Sequence, residues 1–189
     1  SGTIDDYSAA GGSLLSLAVE TALWGVVVLA GSIFVFRFGG PLPDQLEIEN
    51  HKRDGMFGSM AFLSIATGPL VLLGVWAIAV DPVKGQVLGA VVVGSLFVGL
   101  TARLLAPITP PAVIYVAPLL FGAAGYAVAH LMLKGAPIRP AFVSGTLLRF
   151  AYPMPIDYAA GTLVGVSLGI GLARSFIKQD SHSPQAKHS

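Results

Sequence analysis

The chain contains no cysteine, and few of its residues carry charge. The first absence excludes disulfides, thiolate metal sites, cysteine-ligated iron–sulfur clusters and covalent c-type haem. The second is more informative. Asp, Glu, Lys and Arg make up 11% of the 189 residues, against about 25% in ordinary soluble domains. A net charge of +1 gives no polyelectrolyte signal, so no nucleic-acid partner is expected. The N-terminal SGTIDDYSAAGG has two acids and no base, and is therefore not expected to act as a secretory signal.

What is present is apolar: 54% of the residues are hydrophobic, gathered into long runs. A soluble fold of this size could not cover itself with so little polar surface. Five stretches are long enough to cross about 30 Å of hydrocarbon, near 14–36, 56–80, 85–105, 112–133 and 157–177. The expected fold is an all-α membrane bundle of five spans in one domain, 1–177, followed by a polar tail, 178–189. The first connection holds most of the loop charge. The second, around DPVKG, is a tight turn, and the third, APITPP, breaks the helix on either side. The fourth, from Lys134 to Ile156, is moderately apolar and carries Arg139 and Arg149. Residues 141–151 are either a short interfacial helix or an ordered loop.

Lysine and arginine set the expected orientation. With the N-terminus outside, Arg37, Lys52, Arg53, Arg103, Arg174, Lys178 and Lys187 fall on the cytoplasmic side. The other side keeps Lys84, Lys134, Arg139 and Arg149. The bias favours an external N-terminus and a cytoplasmic C-terminus.

Three constellations bear on function. Gly161, Gly165 and Gly169 recur every four residues and form one smooth strip, and Gly85 and Gly89 repeat the spacing. Such strips let helices approach closely, either within this chain or against another subunit. Glu20 is the lone charge in SLLSLAVETALWGVVVLAGSIFVF, and an acid inside a span usually has a partner or a role. It could move protons, bind a cation, or pair with a partner helix. Its quieter alternative is a hydrogen bond to Ser16, Thr21 or another helix. The four histidines suggest neither haem nor metal: His182 and His188 lie in the tail, while His51 and His130 fall at opposite ends of the expected topology. Ser64 and Ser167 are expected to bond back to their own helices. Tyr115, Tyr152 and Tyr158 read as interfacial anchors, Trp24 and Trp76 as deeper packing residues, and Asp157 as a cap. Pro118 is expected to break the fourth span.

From the third span onward, LGAVVVGSLFVG, LLAPITPP, HLMLKGAPIRP and SGTLLRF occur in that order before a last helix. This order resembles the C-terminal part of the membrane A subunit of particulate methane and ammonia monooxygenases, over about 90 residues. That subunit has more spans than this chain. The resemblance implies a membrane subunit of a copper-dependent oxygenase, with Gly145, Thr146, Arg149 and Phe150 as a structural contact element. It implies no metal ligand on this chain.

The expected function is a non-catalytic integral subunit of a larger membrane complex, respiratory or oxidative in type, with other membrane subunits and the lipid bilayer as partners. Gly161, Gly165, Gly169, Gly85, Gly89, Arg139 and Arg149 are its expected contacts. No cofactor ligated by this chain is expected, while lipid, quinone or pigment contacts remain open. The alternatives are the copper monooxygenase subunit and a small homo-oligomeric transporter or channel using Glu20.

Overall fold

A computed structural model describes residues 3–39, 59–107, 109–134 and 136–180. The described residues form helices and contain no strand. In chain order these are α1 (Ile4–Ala9), α2 (Leu14–Gly39), α3 (Ser59–Ala66), α4 (Pro69–Ile78), α5 (Lys84–Leu105), α6 (Pro111–Met132), α7 (Ile138–Val143) and α8 (Pro155–Asp180), with a 3-10 turn at Arg149–Ala151 before α8. Five stretches are long and apolar enough to span a bilayer: α2, α3 with α4, α5, α6, and α8 as far as Phe176. The chain is thus an all-helical bundle of multi-pass membrane type. His51, Lys52, Arg53, His182, Lys187 and His188 lie outside the described residues.

The second span is interrupted. Pro69 has no N–H to continue the ladder from α3, and Thr67 and Gly68 form the turn between the two halves. Gly68 is required there, because a Cβ would run into the ring of Phe121 on α6. The fourth span, where Pro118 led us to expect a break, is continuous from Pro111 to Met132. Pro118 is buried within it. Ser64 does not bond back to its own helix. It donates to the Thr109 hydroxyl at 3.0 Å, tying α3 to the α5–α6 turn.

The tightest seam joins α5 and α8, which run parallel. Each strip glycine of α8 faces the residue 70 positions earlier, or its near neighbours. Gly161 meets Val91, Gly165 meets Ser95 and the Val92 carbonyl, and Gly169 meets Gly99 and the Leu96 carbonyl. A side chain on Gly165 or Gly169 would collide with α5 backbone. Where lipid removes the hydrophobic drive, such backbone approach is what holds helices together. The opposite side of α5 repeats the device, with Gly94 lying against Val71 and Gly74 of α4.

The connection from α6 to α8 is ordered by its polar ends. α7 begins earlier and is shorter than the helix considered over 141–151. Gly145 follows at φ +70°, a left-handed turn that suits glycine, and the 3-10 turn comes next. Arg149 donates from Nη1 to the Trp76 carbonyl at 3.3 Å, and Gln86 donates to the Ile78 carbonyl at 2.7 Å. Arg149 thus takes up a carbonyl in the last turn of α4, and Gln86 adds a second bond to the Ile78 carbonyl, which also accepts from the Val80 N–H at 2.8 Å. Tyr158 is no interfacial anchor. It is fully buried, donates to the Phe150 carbonyl at 2.7 Å, and stands edge-on to Tyr126 at 5.9 Å. Tyr126 in turn donates to the Pro153 carbonyl. Trp76, expected to pack, is 59% exposed.

Asp157 caps α8: its carboxylate accepts from the Met154 N–H at 3.1 Å and lies 3.7 Å from Lys84 Nζ at the start of α5. The contact aligns the first turns of the two parallel helices.

Candidate functional site

α2 is the span that the rest of the bundle covers least: 17% of its apolar window is buried, against 56% for α6 and α8. Leu14, Leu17, Ala18, Thr21, Gly25 and Val28 recur at helical spacing and face inward, where Gly25 meets Leu119 of α6. The remaining circumference of α2 is open, including Val19, Leu23, Val26, Val27, Phe34 and Phe38.

On this open side a polar line runs inward from the start of the helix. Ser13, Ser16 and Glu20 stand at spacings of three and four, so they share a face. Tyr7, placed by the capping box of Thr3 and Asp6 at the start of α1, brings its hydroxyl to 2.5 Å from Ser16 Oγ. The same hydroxyl lies 3.3 Å from the Ser13 carbonyl, and the two serine Oγ atoms are 3.0 Å apart. The three hydroxyls satisfy one another and the local backbone. Glu20 is not among them. It is exposed, about 9 Å along α2 from Leu14, at the edge of a shallow recess with Leu15, Val19 and Leu23.

Two expected partners of Glu20 are engaged elsewhere. Ser16 belongs to the Tyr7 cluster, and Thr21 is buried and donates to the Leu17 carbonyl at 2.7 Å. No described side chain forms a hydrogen bond or ion pair with the Glu20 carboxyl. Among the described residues, then, no interhelical bond involves Glu20.

The structure separates the other expected site residues. Gly161, Gly165 and Gly169 are used inside the bundle, against α5, rather than on an outer face. Gly85 and Gly89 face open space, where an added Cβ would meet nothing within 4 Å. Arg139 is exposed on α7, whereas Arg149 is committed to the end of α4. Ser167 does bond back to its own helix, donating to the Leu163 carbonyl at 2.6 Å. His130 lies in the last turn of α6, and among the described residues no three His, Cys, Asp or Glu side chains converge.

Two features escape a reading of the sequence. Tyr7, Ser13 and Ser16 are common residues, and their only signal is the three-and-four spacing that runs on to Glu20. Arg103 reads as a loop-end cation, but it is 1% exposed and donates from Nη1 to the Pro107 carbonyl at 2.6 Å. Helix alternation puts it at the opposite end of the bundle from Glu20. The arrangement offers no convergent nucleophile and base among the described residues; it offers an acid facing outward from the least covered helix. No family model, curated protein or solved structure matches this chain.

Proposed function

We propose that this chain is a non-catalytic integral subunit of a larger membrane assembly, and that it joins that assembly through the open face of α2. The outward-facing carboxyl of Glu20 carries this reading. A charged side chain inside the hydrocarbon is costly, more so with depth, and such acids turn inward or find partners. Among the described residues, Glu20 does neither. A helix from another subunit, with a base or a hydrogen-bond donor at the same depth, would remove that cost. The apolar residues around Glu20 would add van der Waals contact.

The test is gentle detergent extraction of the native protein, a native gel, mass spectrometry of co-migrating chains and an absorption spectrum of the same band. A large band with other membrane subunits supports the reading, and Glu20→Leu should deplete that band while the chain still inserts. Glu20→Gln keeps a donor and an acceptor, and its recovery tells hydrogen bonding from ion pairing. If the parent assembly is of the kind that the monooxygenase resemblance implies, the band also carries copper. A colourless band holding only multiples of this chain would overturn the proposal in favour of a homo-oligomer, with Glu20 next tested in a transport assay.

A further inference from the structure

We infer that the helix which meets Glu20 belongs to a different polypeptide, carries a lysine or arginine at that depth, and continues along the groove between α2 and α8. The inference rests on the reading of Glu20 above and extends it from one carboxyl to a whole helix. On α2, Glu20, Trp24, Val27, Gly31 and Val35 stand at spacings of three and four, so they share one face. The last four of them line the groove. The acid and the groove are thus two stretches of a single surface.

The other wall is built in the same way. Ala160, Leu163 and Ser167 of α8 stand three and four residues apart, all are exposed, and Tyr115 of α6 lies between the walls. Two helices that present such stripes to one groove offer the ridges and hollows into which a third helix packs. Small residues sit on both walls, Gly31 and Ser32 on α2 and Ala160 and Ser167 on α8, which lets a third backbone come close. A Cβ built on Gly31 meets nothing within 4 Å among the described residues.

Charge selects the occupant. Glu20 lies about 9 Å along α2 from Leu14, inside the span. A second copy of this chain, inserted the same way, brings no described cation to that depth. At that end of the bundle the described cations are Lys84, the first residue of α5, His130 in the last turn of α6, and Lys134, Arg139 and Arg149 in the connection to α8. A phospholipid carries its charge at the headgroup level and only hydrocarbon below it. A span of another polypeptide can place a base beside Glu20, and the two charges then offset each other's cost of burial.

The test uses the full chain in its native membrane. A photo-reactive amino acid is placed at Val19, in the recess with Glu20, or at Ala160 on the far wall of the groove, with exposed Phe62 of α3 as the control. Val19 and Ala160 should capture the same span of one polypeptide other than this chain, and Phe62 should not. Mass spectrometry of the adducts should find a lysine or arginine of that span within one turn of the Val19 attachment point. Capture is not sufficient alone: Glu20→Lys, or replacement of the partner's base by glutamate, should each release the partner, and the two together should restore it. Gly31→Phe should lower the co-purified partner about tenfold. Gly89→Phe, equally open but outside the groove, should leave it unchanged. The inference is overturned if Ala160 captures only lipid, a second copy, or a polypeptide other than the one found at Val19. It is equally overturned if the captured span has no base at that depth, or if Gly31→Phe retains as much partner as Gly89→Phe. Glu20→Leu separates the two readings. If it depletes the assembly while Ala160 captures lipid, α2 still joins a partner but not through the groove; if it depletes nothing, the reading of Glu20 itself falls.

Discussion

Tyr158 and Glu20 show how position and environment part company in a membrane chain. Both stand near the start of a span, where a tyrosine reads as an anchor and an acid as an anomaly. Tyr158 is instead a strut, because Gly122 on α6 leaves room for its ring and the Phe150 carbonyl needs a donor. Tyr158→Phe keeps the ring and strands that carbonyl, so it should lower stability by about 1 kcal/mol. Reversible unfolding in mixed detergent would measure the loss, and Tyr115→Phe, whose bond is exposed, should lose less. Nothing in the sequence tells these tyrosines apart. The difference is made by Gly122, on the preceding span, and by a carbonyl that turns inward only once the connection has folded. Glu20 is legible as an oddity, and its face can be read from its spacing to Ser13 and Ser16. Its exposure cannot, since which side of α2 meets α6 depends on Leu119 approaching Gly25.

Among the elements, hydropathy locates the five spans to within a few residues, because length and apolarity are properties of the run itself. Interruption is not. The second span averages as apolar as its neighbours, yet it is split at Thr67 and Gly68, while the proline inside α6 leaves that helix whole. Gly68→Ala should destabilise the bundle by about 1–3 kcal/mol through its collision with Phe121. Shortening the ring in Gly68→Ala/Phe121→Leu should recover part of the loss, and a double-mutant cycle would report the coupling. The glycine strips make a sharper contrast. Gly165→Leu should disrupt the α5–α8 seam and yield a chain that inserts but unfolds easily, whereas Gly89→Leu projects into open space and should leave stability unchanged. Thermal unfolding of the two variants side by side separates the strip that packs from the strip that does not. Sequence spacing treats them alike.

Across the described residues the packing has two main seams, α5 against α8 and α2 against α6. Helix alternation places the α1 segment, the α4–α5 turn and the α6–α8 connection at one end. The absence of native cysteine makes this arrangement directly addressable. Asp5→Cys, Asp81→Cys and Ser144→Cys should each react with a membrane-impermeant thiol reagent from one side, and Gly39→Cys from the other. On the orientation that the lysine and arginine distribution favours, the first three label in intact cells and Gly39→Cys labels only after permeabilisation. Labelling with the sides exchanged would reverse that orientation while leaving the fold intact.

The parallel course of α5 and α8 also bears on how the chain is made. Two parallel neighbours cannot be joined by a hairpin; the polypeptide must cross the bilayer in α6 and return before the second can meet the first. As the chain leaves the ribosome, α5 therefore waits in the membrane with Ser95 and Gly99 facing lipid until α8 arrives. Quality-control proteases that survey exposed polar and glycine-rich helix faces would have a window on every copy whose synthesis stalls after α6. Truncation before Pro155 should thus yield a protein that is inserted correctly and degraded fast, and the length of that window is set by translation speed rather than by bundle stability.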